Sequence, residues 1–271
     1  MTITTMLHQP IGVFDSGLGG ISVLREIHRL LPAEALIYVA DSAHAPYGAK
    51  PPDYIRQRSQ RVADFLLTQN AKALVVACNT ATVHAVEHLR AVLPIPVVGV
   101  EPAVKPAARM TQTGVVGVLA TPQTVNSLRL QRLIHEHAQG VKVIAQACPG
   151  LVEHVEAGDF DSEALRHLLK LYTLPLLDAG ADTLVLGCTH YPFLSEAIHD
   201  VTHGTMTVLE TSTPVTHQLI RILDQHAMRR DSVERGYVQF YSSKQERQHY
   251  QGIARLWQQP VDPQPLPTGY R

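Results

Sequence analysis

The chain has 271 residues, of which 45% are hydrophobic and 17% charged, and its formal net charge at pH 7 is -1. This length and apolar content allow a substantial buried core, in one large domain or two smaller ones. The near-neutral charge excludes a strongly basic surface for nucleic acid or an anionic membrane. The apolar runs are of strand length, well short of the ~20 residues needed to span a bilayer.

Residues 1–10 lack a basic segment followed by an apolar one, so no secretory signal is predicted. The three cysteines are few and odd in number, which argues against a disulfide framework. Together these features predict a cytoplasmic protein with reduced thiols.

Short apolar strands alternate with amphipathic helices along the chain. Strands are predicted at 11–15, 36–41, 73–77, 96–100, 114–121, 141–146, 183–186, 206–210 and 236–241, and helices at 21–31, 52–70, 80–90, 125–137, 151–157, 162–179, after Pro192, at 213–228 and at 245–257. This alternation predicts an α/β fold with parallel sheets. The order repeats from about residue 114, which indicates an internal duplication. The proline-rich tail from Gln259 is predicted to be loose.

Each half of the chain has a cysteine directly after a buried strand. Cys78 is followed by Asn79 and Thr80, and Cys188 by Thr189 and His190. The carboxyl edge of an open α/β sheet is where ligands bind, and a helix N-terminus stabilises a thiolate. Two half-chains facing each other across a cleft would place the thiols on opposite sides of one ligand. The pattern therefore predicts two matched proton-transfer groups.

Three other interpretations of the cysteines stay open. They could simply be buried, although this leaves their polar neighbours unexplained. A zinc site of Cys78, Cys188 and His190 lacks the usual C-x₂-C spacing. A cysteine hydrolase with His190 as base leaves the second thiol without a role. Cys148, in an Ala-Cys-Pro-Gly turn, is interpreted as structural.

Two loops carry further candidate residues. Asp15 and Ser16 precede a glycine-rich turn that lacks both the G-x-G-x-x-G order and the lysine of a P-loop, so Asp15 is a better candidate site residue than the glycines. Tyr47 and Gly48 lie in a turn-rich loop and are ambiguous by themselves. None of these motifs contains lysine or arginine, so an anionic substrate would be held by backbone N–H groups and neutral donors.

Six motifs resemble those of the glutamate racemases, in the cofactor-independent aspartate/glutamate racemase family. The motifs are FDSGLGG at 14–20, YVADSAHAPYG at 38–48, VVACNTAT at 75–82, VVGVEPA at 97–103, ACPGLVEHVE at 147–156 and LVLGCTHYPFL at 184–194. They span nearly the whole chain in the family's order. The sequence departs from the family at Glu153, where many members have proline, and in the looser segment 118–127.

The resemblance implies two similar α/β domains with mainly parallel sheets and the active site in the cleft between them. The first domain would comprise 1–101 and 211–271, and the second 102–210. Cys78 and Cys188 would be the acid/base thiols, Cys188 acting on L-glutamate and Cys78 on D-glutamate. The positions of residues thought to assist them are Asp15, Glu156 and His190. The implied substrate-binding positions are Asp15, Ser16, Tyr47, Gly48, Asn79, Thr80, Thr121, Thr189 and His190, with Thr124 an alternative to Thr121.

The resemblance further implies racemisation of L-glutamate to D-glutamate without cofactor or metal. The product would supply peptidoglycan synthesis in the cytoplasm, and the enzyme would be a homodimer with no nucleic-acid or membrane partner. Two rivals stay open at this point. One is a related racemase acting on aspartate or a hydantoin, and the other is a ligand-binding α/β module without chemistry.

Overall fold

The computed structural model describes residues 7–271, which form an α/β protein. Residues 1–6 lie outside the described residues. They belong to segment 1–10, for which no secretory signal is predicted, and to the predicted domain segment 1–101. Contacts within the chain separate it into two compact units. Unit 1 runs up to Val100 and resumes at Ser212–Arg271, and unit 2 is Glu101–Thr211.

Unit 1 is built around a six-stranded sheet in which every pair of neighbours is parallel. In spatial order its strands are β10 (Gln264–Pro265), β9 (Val238–Ser242), β2 (Leu36–Ala40), β1 (Ile11–Asp15), β3 (Ala73–Val76) and β4 (Val97–Gly99). Its helices are α1 (Ile21–Leu30), α2 (Pro52–Thr68), α3 (Asn79–Val92), α10 (Ser212–Gln225) and α11 (Arg247–Trp257). Short 3₁₀ turns lie at Ser42–His44, Tyr47–Ala49 and Thr268–Tyr270.

The central strands of this sheet are buried on both faces, which is why they lack charged residues. Phe14 is aligned with Val39 and Val76 on the neighbouring strands, and all three belong to a core cluster with α2 and α3. Alternate residues of a strand point to opposite faces. Tyr38 accordingly packs on Phe240, which packs in turn on a tryptophan of α11. Helices therefore cover both faces of the sheet.

Unit 2 contains a smaller sheet, again with every neighbouring pair parallel. Its strands in spatial order are β6 (Lys142–Ala147), β5 (Val115–Ala120), β7 (Thr183–Leu186) and β8 (Thr207–Leu209). Its helices are α4 (Val104–Met110), α5 (Pro122–Val125), α6 (Leu128–His137), α7 (Leu151–Glu156), α8 (Glu163–Asp178) and α9 (Ser195–Val201), and Tyr191–Leu194 forms a 3₁₀ turn. Val118 and Val185 face each other across β5 and β7 inside a core cluster with α4 and α6.

The two sheets share one topology, which confirms the predicted α/β class and the repeat in the order of elements. The order β2-β1-β3-β4 in unit 1 matches β6-β5-β7-β8 in unit 2. Equivalent backbone bonds occur just before each cysteine: Ala77 N donates to Phe14 O at 2.8 Å, and Gly187 N donates to Leu119 O at 2.7 Å. Cys78 and Cys188 therefore follow equivalent strands, β3 and β7.

Several details of secondary structure differ from prediction. The tail after Gln259 is not loose, because β10 pairs with β9 and the Leu266 side chain is fully buried. The helix predicted over 125–137 is interrupted, because Ser127 accepts a bond from Leu130 N and caps a new helix there. Helix α4 is unpredicted because it contains Pro106, which a helix tolerates in its first turn.

Candidate active site

Cys78 caps the N-terminus of α3, the 14-residue helix that follows β3. Its backbone is extended, and its sulfur accepts a hydrogen bond from Ala81 N at 3.4 Å. The side chain is 4% exposed. A thiolate at this point would be stabilised by a backbone donor and by the positive end of the helix dipole.

A polar chain leads away from the Cys78 sulfur. The thiol donates to Ser16 Oγ at 3.6 Å, and Ser16 Oγ donates to Asp15 Oδ1 at 3.3 Å. Asp15 Oδ1 also accepts from Gly17 N at 2.7 Å, and the Asp15 side chain is fully buried. Asp15, the last residue of β1, is thereby linked to the thiol through the serine hydroxyl.

The glycine-rich turn brings α1 close to this group. A Cβ on Gly20 would lie 2.7 Å from Asp15 Cβ and 3.1 Å from Ala77 Cβ, closer than a side chain there can be placed. Glycine at this position thus allows tight passage from strand to helix. The turn contributes to the site by shaping the backbone around Asp15.

Asn79 and Thr80 begin α3 directly after Cys78, and both are buried. Neither amide atom of Asn79 has a hydrogen-bond partner among the described residues. A buried amide without a partner is costly, at roughly 1–3 kcal/mol for each unsatisfied group. Asn79 is therefore a strong candidate for a ligand contact.

Tyr47 lies in the 3₁₀ turn after β2, and its ring belongs to the same core cluster as Cys78. Its hydroxyl donates to Asp41 Oδ2 at 2.6 Å. Burial first, and then the neighbouring Asp41 carboxylate, raises the pKa of Tyr47 well above its ordinary value. Tyr47 is thus a neutral phenol whose proton is committed to Asp41.

In unit 2, Cys188 is paired with an imidazole. His190 Nδ1 lies 3.8 Å from Cys188 Sγ, and His190 Nε2 lies 2.7 Å from Glu156 Oε1. An ionised carboxylate only accepts hydrogen bonds, so Nε2 donates to Glu156, and in the neutral imidazole the Nδ1 lone pair then faces the thiol. His190 is thereby oriented as a base toward Cys188, with Glu156 able to stabilise the resulting imidazolium.

A turn held by two tyrosines places Glu156 at the end of α7. Tyr191 donates to Cys148 O at 3.2 Å, and Tyr172 donates to Pro149 O at 2.8 Å. Gly150, the N-cap residue before α7, lies in the left-handed region with φ of 92°, where glycine is favoured. Cys148 itself is buried, which raises the pKa of its thiol, and the thiol donates to a backbone carbonyl.

Thr121 follows β5, the neighbour of β7, and caps α5. Its hydroxyl donates to Thr124 Oγ1 at 3.1 Å. The Thr124 side chain is fully buried, whereas Thr121 keeps 6% exposure. Thr121 is therefore the better candidate for a ligand contact.

Two kinds of feature are absent from the described part of the chain. Within residues 7–271, no three histidine, cysteine, aspartate or glutamate side chains form a group that could hold a metal ion. No helix in that range combines the length and apolarity needed to cross a bilayer.

The predicted residues thus fall into two sets. Unit 1 brings together Asp15, Ser16, Cys78, Asn79 and Thr80, with the Tyr47 ring in the same core cluster as Cys78 and Gly48 next to Tyr47 in the turn. Unit 2 brings together Glu156, Cys188, Thr189 and His190, with Thr121 at the end of the adjacent strand.

Sequence reasoning missed Asp41 and Arg58. Both are buried, and two hydrogen bonds join the Arg58 guanidinium to the Asp41 carboxylate. The sequence did offer a signal for Asp41, because it directly follows strand β2 in the way that Asp15 ends β1. The sequence offered no such signal for Arg58, because its neighbours on the helix are polar residues that are expected to be exposed.

Comparisons with known proteins give one consistent set of matches. The family model described as Asp/Glu/Hydantoin racemase matches residues 11–215. A curated protein named glutamate racemase, from Pseudomonas entomophila strain L48, is 53% identical over 251 residues, which cover 92% of this chain and 94% of that protein.

Solved structures give the same family. Glutamate racemase isoform RacE1 from Bacillus anthracis matches with a TM-score of 0.87 at 31% identity, over 97% of this chain and 99% of its own. Glutamate racemase from Francisella tularensis subsp. tularensis SCHU S4, in complex with D-glutamate, matches with a TM-score of 0.85 at 27% identity, over 97% and 98%.

Proposed function

The chain belongs to the Asp/Glu/hydantoin racemase family, and from that premise we propose that it interconverts L- and D-glutamate by a two-base mechanism using Cys78 and Cys188. The observation that carries the proposal is the equivalent placement of the two thiols, each after the third strand of its sheet. Each thiol also has its own proton-handling partner.

Cys188 is proposed to act on the L-enantiomer. His190 Nδ1 takes the thiol proton, and the Cys188 thiolate then removes the proton from the α-carbon. Glu156 stabilises the imidazolium through Nε2. A positioned base with a pKa near the working pH accelerates such a step most effectively.

Cys78 is proposed to deliver a proton to the opposite face of the α-carbon. After delivery, its thiolate would be stabilised by Ala81 N and by the N-terminus of α3. The Ser16 hydroxyl links the sulfur to Asp15, which can then take part in reprotonation. In the reverse direction, Cys78 is the base and Cys188 is the acid.

The α-proton of an amino acid is weakly acidic, so the site must stabilise negative charge that develops on the substrate. Asn79, whose amide has no protein partner among the described residues, and the backbone N–H groups at the start of α3 are suitable donors. We propose that Thr80, Thr121 and Thr189 add hydroxyl contacts. These are neutral dipoles, which stabilise developing charge without holding the ground state as tightly as a guanidinium would.

The contact from Tyr47 and Gly48 is proposed to come from their backbone. The Tyr47 hydroxyl donates to Asp41, so that proton is not available to a substrate carboxylate. The ring is also only 1% exposed. The turn that contains both residues would then bind substrate through main-chain N–H groups.

We further propose that the two units are the two predicted domains, with boundaries near residues 101 and 211. The predicted location of the active site between them stays a prediction. The supply of D-glutamate for peptidoglycan synthesis, a cytoplasmic location and a homodimer are proposed on the resemblance to the family.

Polarimetry on the purified chain tests the function directly. We expect L-glutamate to lose optical rotation without any added cofactor, and to do so with a higher kcat/KM than L-aspartate. Prior dialysis against a chelator should leave the rate unchanged, since no group of metal ligands is found in residues 7–271. A higher kcat/KM on aspartate or a hydantoin would assign the chain to another branch of the family. Loss of activity on chelation, restored by zinc, would overturn the metal-free mechanism.

Alkylation should inactivate the enzyme through Cys78 or Cys188 before Cys148. The thiolate is the reactive form of cysteine, and burial raises the pKa of the Cys148 thiol and so disfavours its thiolate. Mass spectrometry after limited treatment with iodoacetamide identifies the modified residue, and saturating D-glutamate should slow both labelling and inactivation. Labelling of Cys148 first, with Cys78 and Cys188 unmodified, would contradict the two-thiol site.

A further inference from the structure

We propose that Arg58 and Asp41 form a buried positioning pair for the substrate-binding turn Tyr47–Ala49. This inference rests on the proposed function and adds to it two residues that do not themselves touch substrate. Asp41 directly follows β2, Tyr47 is six residues further on, and Arg58 lies on α2. The pair thus joins a strand end and a helix to the turn between them.

The geometry around Asp41 is highly specific. Arg58 Nε donates to Asp41 Oδ2 at 3.0 Å and Arg58 Nη2 donates to Oδ1 at 2.7 Å, a bidentate arrangement. The Tyr47 hydroxyl donates to the same Oδ2 at 2.6 Å. Bidentate arginine–carboxylate pairs fix orientation as well as distance. The two bonds from Arg58 therefore hold the Asp41 carboxylate in one orientation, and a carboxylate in that orientation holds the Tyr47 hydroxyl in place.

Stability alone does not explain this pair well. Asp41 is fully buried and the Arg58 side chain is 5% exposed, so both charges are removed from water. Arg58 Nη1 is buried without a hydrogen-bond partner among the described residues. A buried ion pair with an unsatisfied donor is often no more stable than apolar residues of the same volume. A role in positioning the turn would explain why the chain keeps a buried ion pair here despite its desolvation cost.

Two further contacts connect the pair to the site and to the tail. The Tyr47 ring lies in the core cluster that includes Cys78, so a displaced ring would alter the surroundings of the thiol. Arg58 Nη2 also donates to Tyr270 O at 2.9 Å. The tail segment that sequence analysis predicted to be loose thus supplies a carbonyl that holds the guanidinium.

The test is a double-mutant cycle in the full-length chain, with Tyr47→Phe, Arg58→Lys and the double variant. Tyr47→Phe keeps the buried ring and removes only the bond to Asp41. We expect KM for glutamate to rise roughly tenfold, because a turn that is held in its binding conformation only about a tenth of the time binds substrate about tenfold more weakly, with little change in kcat. Arg58→Lys keeps the charge but loses the bidentate bond, and should also raise KM.

The cycle distinguishes positioning from general destabilisation. Because both residues act through Asp41, the double variant should raise KM no more than the stronger single variant. Tyr241→Phe is the matched control: it removes a half-buried hydroxyl of unit 1 that accepts from Gln239 Nε2 at 2.8 Å, and it should leave KM unchanged.

Two results would overturn this inference while leaving the proposed function intact, provided that the wild type is active. One is a wild-type KM in Tyr47→Phe, and the other is a KM increase in the double variant equal to the product of the two single increases. If Arg58→Lys fails to fold, Tyr47→Phe still decides, since its ring remains in the core cluster. A wild type that does not racemise glutamate would instead overturn the proposed function, and this inference with it.

Discussion

Cys78→Ala and Cys188→Ala are each expected to reduce the rate of glutamate racemisation by at least ~10²–10⁴-fold, the loss typical of a positioned acid or base. Racemisation requires one group to remove a proton and another to return one on the opposite face. In the proposed mechanism each thiol serves one face of the α-carbon, so each single variant should lose both directions of the reaction. Circular dichroism at a fixed wavelength follows the rate from either enantiomer.

Cys148→Ala is the matched control, because it makes the same substitution at the third buried cysteine. The Cys148 thiol donates to the backbone carbonyl of Gln146 and has no place in the proposed chemistry. Its racemisation rate should stay within about threefold of wild type, since a thiol with no part in the proton transfer makes no transition-state contact to lose. A Cys148→Ala enzyme as inactive as the other two would show that the losses reflect folding.

Lys72→Met is expected to lower the free energy of unfolding by ~3–5 kcal/mol, the cost of breaking a buried ion pair. Lys72 Nζ lies 2.5 Å from Glu34 Oε2, and both side chains are fully buried. The ammonium group also donates to Leu7 O at 3.0 Å and to Met228 O at 2.8 Å. Methionine fills a similar volume but leaves the Glu34 carboxylate in the core with a backbone N–H of Arg230 and without the ammonium group that it pairs with.

Urea denaturation measures this effect, with Glu87→Gln as the control. Glu87 pairs with Arg90 on the surface of α3, where their side chains are 71% and 42% exposed. Such pairs contribute less than ~1 kcal/mol, so the control should unfold near the wild-type midpoint. If Lys72→Met unfolded at the same midpoint as Glu87→Gln, the proposed cost of the unpaired carboxylate would be wrong.

The sheets could be predicted from the sequence because their strands are buried on both faces. A short, continuous apolar run between two helical segments, such as Ala73–Val76, is typical of a buried strand in a parallel sheet. The positions of Cys78 and Cys188 at equivalent strand ends follow from the same pattern. Local periodicity and turn chemistry thus determine the α/β class and the repeat.

The remaining features depend on tertiary contacts that no local pattern encodes. Arg58 lies in a run with Arg56 and Arg61, and only the fold places Asp41 beside one of the three. Leu266 stands in a proline-rich tail, yet the free edge of β9 gives that tail a strand to pair with.

The two cysteine motifs also differ more than their sequences suggest. Cys78 caps a long helix, whereas Cys188 is followed by a 3₁₀ turn that begins at Tyr191. The second thiol therefore has the His190 imidazole as its partner in place of a helix N-terminus.

Elimination from a glutamate analogue with a leaving group on the β-carbon tests the two-thiol claim most directly. A base removes the α-proton, the resulting electron pair forms the Cα–Cβ double bond, and the leaving group departs with its own bonding pair. This reaction needs one base and no acid on the opposite face, so a single-thiol variant can still perform it. We predict that Cys78→Ala eliminates from the L-analogue alone, because Cys188 remains, and that Cys188→Ala eliminates from the D-analogue alone. One variant that eliminated from both enantiomers, with the other eliminating from neither, would contradict the account and favour a single base.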